Sequence, residues 1–255
     1  MVITTEYVNI PAGDAPMRSF VAAPKLAGPT HAQKYPGIVC YSDIFQLSGP
    51  MLRSVSRLAG YGFVAVAPEI YHRVEPADAV IPFDDAGRTR GQDDAAKTPV
   101  AHFDDDRRSA LDYLARHPLV AEGQLGAMGF CIGGHLAFRA AMDPDVRATV
   151  CFYGTGIHDG KLGQDRDAGS LVRAGEIRGK LLMAWGSADP HVSEAGRAAI
   201  DRKLHEAGVD YSVKLFPAEH AFMRDEGPRY DPDAADQAFA AMLALFRTVF
   251  GSRYN

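Results

Sequence analysis

Cysteine is scarce in this chain, with only Cys40, Cys131 and Cys151, an odd number. No disulfide framework is read, and a reducing, cytoplasmic setting is expected. Neither Cys-x-x-Cys nor His-Glu-x-x-His occurs, so the common zinc patterns are missing. No apolar run reaches the roughly 18 residues a membrane helix needs. Met1-Val2-Ile3-Thr4-Thr5-Glu6 has neither a basic nor an apolar leader character. Lysine and arginine form no block and the net charge is −5, which speaks against nucleic acid or an anionic membrane as partner. The glycines fit neither the dinucleotide nor the P-loop spacing, and no cofactor or metal is expected. Internal repeats, low-complexity tracts and interdomain linkers are also missing.

What is present is a large apolar fraction, 47% of 255 residues, beside 23% charged residues. That balance fits a soluble protein with a sizeable core, and the length fits a single α/β unit spanning 1–255. Residues 2–9 and 17–23 read as strands joined by a turn at Pro11-Ala12-Gly13-Asp14. Short apolar runs at 36–41, 63–67, 124–128, 148–153 and 180–185, and an alternating stretch at 211–216, read as further strands. Helical spacing covers 50–59, 100–116, 132–142, 193–207 and 233–250. Strands alternating with helices predict a mainly parallel sheet covered on both faces. Residues 71–99, rich in proline and aspartate, read as an irregular segment serving the active site.

Gly129-Phe130-Cys131-Ile132-Gly133 stands where a strand turns into a helix. The form Gly-x-nucleophile-x-Gly at such a corner is a nucleophile elbow, which exposes the central side chain. The helix N-terminus behind it favours a thiolate or an oxyanion. The bland alternative is a structural cysteine beside a tight turn, which is the stronger reading for Cys40 and Cys151, both inside apolar runs.

A thiol nucleophile needs a base, and the base needs an orienting group. Asp189 follows the strand ending at Trp185, and His220 follows the strand ending at Phe216. Alone, the first would be a turn residue and the second an exposed loop histidine. Together they complete the order nucleophile, acid, histidine of α/β-hydrolase triads, on strand ends that converge at one sheet edge. His135 lies four residues after Cys131 but is read as packing, since a zinc site needs more ligands. His117, His158, His191 and His205 are given no role. Asp104-Asp105-Asp106 is read as a favourable charge near a helix start and not as a metal site.

Six segments carry a family resemblance: Tyr41-Ser42-Asp43-Ile44-Phe45, Ala67-Pro68-Glu69-Ile70-Tyr71, Gly129-Phe130-Cys131-Ile132-Gly133-Gly134, Phe152-Tyr153-Gly154, Gly186-Ser187-Ala188-Asp189 and His220-Ala221-Phe222-Met223-Arg224. The chain resembles the dienelactone hydrolase (carboxymethylenebutenolidase) family, whose members have the α/β-hydrolase fold. The resemblance implies a Cys131–His220–Asp189 triad and an oxyanion hole from the N–H groups of Ile132 and Ile44. It also implies that Arg224 helps hold a substrate carboxylate. A second family arginine falls in the irregular segment; Arg88 and Arg90 are candidates, and Arg90 is the one carried forward. The family often has glutamate, contacting the resting thiol, where this chain has Asp43. With one methylene fewer, the backbone comes closer, the contact runs through water, or the switch is lost.

The sulfur itself limits the substrate. A thiolate leaves easily, so a tetrahedral intermediate with a poor alkoxide leaving group mostly expels the thiol again. Forward reaction is favoured with enolate or phenolate leaving groups, that is, enol lactones and aryl esters. The expected partner is a small ester or lactone, acted on by a monomer or weak homo-oligomer. The competing class is a non-hydrolytic thiol protein, a redox sensor or a degenerate ligand-binding hydrolase. A cysteine phosphatase would need Arg six residues after Cys131, and position 137 is Ala.

Overall fold

The computed structural model describes residues 1–25 and 33–251. Strands β1 (Ile3–Ala12) and β2 (Ala15–Pro24) form a hairpin in which Ala12 faces Ala15 across the turn at Gly13 and Asp14. Then follow β3 (Tyr35–Tyr41), α1 (Gly49–Gly60), β4 (Val64–Pro68), α2 (Asp85–Lys97) and α3 (Val100–Arg116). The second half runs β5 (Val120–Phe130), α4 (Ile132–Ala140), β6 (Val146–Phe152), β7 (Lys180–Gly186), α5 (Glu194–Glu206), β8 (Tyr211–Phe216) and α6 (Pro232–Phe250).

The eight strands form one sheet in the order β1-β2-β4-β3-β5-β6-β7-β8. Only β1–β2 and β2–β4 pair antiparallel; every other pair is parallel. This is the α/β-hydrolase fold expected from the alternation of elements. The parallel strands β4 and β6 are buried along almost their whole length, which is why they read as unbroken apolar runs. α1 and α6 share one face, where the Tyr61 and Phe239 rings lie 5.8 Å apart. α3 and α4 share the other, joined by the Asp104–Arg139 ion pair.

Residues 85–97 correct one expectation: this part of the irregular segment is a helix. Asp84 caps it, its side chain accepting from the Gly87 N–H at 2.7 Å. The buried positions of α2 are Gly87, Gly91 and Asp94. They recur at helical spacing but carry no apolar side chain, so hydrophobic periodicity does not reveal them. The glycines are needed for contact: a Cβ at Gly91 would stand 2.3 Å from the Ile44 carbonyl oxygen, and one at Gly87 2.0 Å from that of Pro82. β5 is also longer than the apolar run 124–128, because its exposed first half still pairs with β3 at Tyr35.

The aspartates 104–106 are bound within the protein. Asp104 pairs with Arg139 and Arg107, Asp105 with Arg108, and Asp106 with Arg73 and His72.

Candidate active site

Cys131 sits between β5 and α4 with φ 58° and ψ −121°, a strained backbone for a residue with a side chain. Its N–H donates to Phe152 O at 3.1 Å, and its carbonyl accepts from Gly134 N at 2.9 Å and Thr155 N at 3.2 Å. These bonds hold the corner from both sides. The neighbouring glycines are there for space. A Cβ at Gly129 would stand 1.9 Å from Gly133 O, and one at Gly133 would stand 2.3 Å from Ser42 O. Helix, strand and the Ser42 loop therefore touch backbone to backbone beneath the cysteine. The thiol is half-buried, whereas Cys40 and Cys151 are buried, and burial pushes both of those thiols far up.

β7 and β8 deliver the other two residues. His220 Nδ1 and Asp189 Oδ2 are 2.8 Å apart, and each residue is only 5% exposed. The second Asp189 oxygen accepts from the His191 N–H at 2.7 Å. Burial works against ionised Asp189, but the hydrogen bond and charge of His220 outweigh it and hold the carboxyl below its ordinary range. Burial likewise opposes an imidazolium at His220. The charge of the Cys131 sulfur, with the hydrogen bond to Asp189, overcomes it and raises His220 to about 9. Two rings meet the imidazole edge-on: Tyr153 at 5.0 Å and His191 at 4.6 Å between centroids. Burial and the His220 charge lower the pKa of His191, which keeps that ring neutral beside it.

Cys131 and His220 open on a cleft of about 600 Å³, also lined by Ile44, Ile132, Asp43 and Arg224. Ile132 is the first residue of α4, where a backbone N–H has no intrahelical acceptor. The N–H of Ile44 has no backbone acceptor among the described residues either. Both groups are therefore free to serve an oxyanion.

Asp43 also lines the cleft. Its Oδ1 accepts from the Phe45 N–H at 3.0 Å, closing a tight turn, and its Oδ2 pairs with Arg224 Nη1 at 3.0 Å. Burial raises its pKa, and Arg224 and the Phe45 N–H partly offset that. Arg90 is not brought to the cleft. Its guanidinium grips Glu75 at 2.5 and 2.6 Å, while Arg88 lines the cleft. Two positions on a helix point about 200° apart, so at most one of these arginines can face it. His135 is buried, bonded to Thr155 O at 2.9 Å and Ser170 Oγ at 2.7 Å, and burial lowers its pKa to about 3. It is a packing residue, as the lack of further zinc ligands in the sequence suggested.

Comparison with known proteins identifies the family. The profile of the dienelactone hydrolase family matches residues 22–250. The chain belongs to the dienelactone hydrolase family. That membership supports hydrolysis of esters or lactones. One relative, a "putative carboxymethylenebutenolidase" of Saccharomyces cerevisiae, is 36% identical over 231 residues, covering 89% of this chain and 84% of its own. A carboxymethylenebutenolidase of Pseudomonas sp. strain P51 is 26% identical over 216 residues, 83% of this chain and 84% of its own. Among solved structures, a "putative dienelactone hydrolase" from Klebsiella pneumoniae superposes with TM-score 0.84 at 24% identity, covering 96% of this chain and 99% of its own. At that identity the likeness speaks to the fold alone. Among the described residues, no helix is long and apolar enough to cross a membrane.

Sequence reasoning gave no role to His191 and Tyr153, which frame the His220 ring. Tyr153 lay in one of the family-like segments, so a signal existed. For His191 the only hint was its place two residues after Asp189.

Proposed function

We propose that this dienelactone hydrolase family member cleaves enol lactones and aryl esters through a thioester on Cys131. The observation that carries the reading is the buried His220, bonded to Asp189 and opening with Cys131 on the same cleft. Transfer of the thiol proton to His220 gives a thiolate–imidazolium pair, and Asp189 holds the imidazole's tautomer and orientation. The sulfur attacks the carbonyl carbon, and the oxygen that gains charge lies toward the Ile132 and Ile44 N–H groups. Each such donor lowers the barrier by about 2.7–4 kcal/mol in hydrolases. The enolate or phenolate leaves, and His220 gives up its proton to it or to solvent, returning to the neutral imidazole. Water, deprotonated by His220, then attacks the thioester and releases the acid and the sulfur.

Asp43 is proposed to bias the resting sulfur toward the thiol, because a nearby anion disfavours a thiolate. Its hydrogen bonds go to Phe45 and Arg224, so this influence acts through the electrostatic field.

The test is a panel of dienelactones, aryl esters and alkyl esters with wild type and Cys131→Ala, with intact mass recorded during turnover. Turnover of the first two classes, with an acyl adduct on wild type alone, is the expected result. Oxidation of Cys131 without acylation by any ester would favour a thiol sensor instead.

A further inference from the structure

One wall of the cleft is the segment 155–163, which contributes Thr155, His158, Lys161 and Leu162 among others. It follows β6 and is built of turns, with Leu162 and Asp165 meeting in a single β bridge. Such a segment has no helix or strand ladder to fix it, so its position depends on individual ties. Just beyond it, Gln164 N–H donates to Thr98 O at 2.9 Å, and Asp165 Oδ2 accepts from Val100 N–H at 2.9 Å. Those bonds hold its outer end. The end beside the nucleophile is held by α4.

Thr155 is gripped by both of its backbone groups. Its N–H donates to Cys131 O at 3.2 Å, and its carbonyl oxygen lies 2.9 Å from His135 Nδ1. A carbonyl can only accept, so Nδ1 carries the proton. Burial keeps the ring neutral. Nε2 is then an acceptor, and the Ser170 hydroxyl donates to it at 2.7 Å. Ser170 Oγ in turn accepts from Arg139 Nη1 at 2.8 Å, and the same nitrogen donates to Ala168 O at 2.8 Å. Asp104 of α3 grips Arg139 Nε and Nη2 at 2.9 and 2.5 Å. The donors therefore run one way, from Arg139 through Ser170 and His135 to Thr155. All three side chains are buried, and each has its partners, the condition under which a buried polar chain rigidifies a fold.

Positions 131, 135 and 139 recur at four-residue spacing, so they stand in line along one side of α4. The sulfur and the anchors of the facing wall are thus set by one helix. Apolar packing of the same volume would fill the space without direction, whereas this chain of hydrogen bonds also fixes register.

We propose that His135, Ser170 and Arg139 are positioning residues for substrate binding. They hold the 155–163 wall in register with the Cys131 sulfur, and the part of an ester that extends beyond the reacting carbonyl is bound against that fixed wall. This rests on the hydrolase reading proposed above. A wall that has to be ordered by the ligand weakens binding, and only an ester long enough to reach the wall experiences that loss.

The test compares phenyl acetate with two enlarged esters, 1-naphthyl acetate and phenyl 3-phenylpropanoate, which extend the leaving group and the acyl group in turn. Wild type, His135→Leu and Ser170→Ala are assayed. In both variants KM for at least one enlarged ester is expected to rise about tenfold relative to KM for phenyl acetate, with kcat changed far less. Iodoacetamide, too small to depend on the wall, should alkylate Cys131 with an unchanged pH midpoint. Nitrogen-15 NMR of wild type should show a neutral His135 with its proton on Nδ1 at neutral pH. An equal rise of KM for all three esters, or a moved alkylation midpoint, is what general loosening of the fold gives. Either result overturns the proposal and leaves the hydrolase reading intact. So does a proton on Nε2 of His135. If His135→Leu does not fold, Ser170→Ala decides. Absence of both turnover and Cys131 acylation with all three esters in wild type overturns the hydrolase reading and the proposal together.

Discussion

Gly91 of α2 rests on the carbonyl of Ile44, with no room between them for a methyl group. Ile44 lines the cleft, so α2 is the backing against which the proposed oxyanion loop is set. Gly91→Ala is expected to push that loop out of position and lower kcat by about 10²-fold, as loss of one oxyanion donor does. KM should change little. Steady-state kinetics with an aryl ester, beside thermal unfolding of both proteins, checks this. An unchanged kcat in a folded variant would count against the role given to Ile44.

Cys131→Ser is expected to fold normally and to lose about 10²-fold or more in turnover. A serine hydroxyl depends far more on general-base help, worth about 10²–10⁴-fold, and this site is set around a sulfur. Near-native turnover by the serine variant would remove the argument that sulfur restricts the leaving group.

The His220 titration can be read directly by NMR. In wild type the imidazole is expected to titrate near 9, against an ordinary 6.5. Cys131→Ala removes the sulfur charge but leaves the burial, so the value should fall. As the folded value lies above the unfolded one, the stability this group adds is complete below pH 6.5 and is lost as pH rises through about 9. In Asp43→Asn the loss of an anion should shift the alkylation profile of Cys131 to lower pH. An unmoved profile would sink the proposed control by Asp43.

Asp94 is buried on the inner face of α2. It is 5% exposed, with Oδ2 lacking a hydrogen-bond partner among the described residues. Burial, then the hydrogen bond and charge of Glu75, raise its pKa to about 6, while Lys97 and Arg90 act in the opposite direction. The folded state therefore holds this proton more tightly than the unfolded one. Its contribution to stability falls as pH rises from 3.8 to about 6. Asp94→Asn keeps a donor for Glu75 and removes that loss. Its melting temperature should exceed that of wild type by a margin that grows over this interval and is constant above it. A shift of roughly 2–4 °C corresponds to each kcal/mol in a chain of this size. A margin independent of pH would exclude titration of Asp94 as the cause.

Most strands and helices were legible because burial leaves a period in the residues themselves. β4 and β6 show unbroken apolar runs, while α1 and α6 show apolar residues at helical spacing. The elbow was legible for a local reason too, since glycines that admit close backbone contact cluster within six positions around Cys131. α2 was hidden because its packing uses two glycines and an aspartate. The choice between Arg88 and Arg90 was hidden with it, as it depends on knowing that the segment is helical.

By itself the sequence determined the alternation of strands and helices, the corner that carries Cys131, and the chain order of Cys131, Asp189 and His220. Each of these is set by residues near one another along the chain, where periodicity and turn chemistry act. Only the tertiary structure decided that Asp43 holds Arg224 across 181 residues, that His191 closes over His220, and that α2 backs Ile44. Those contacts arise where separate strand ends and loops meet at one edge of the sheet. Their distances and charges depend on packing that no local pattern encodes.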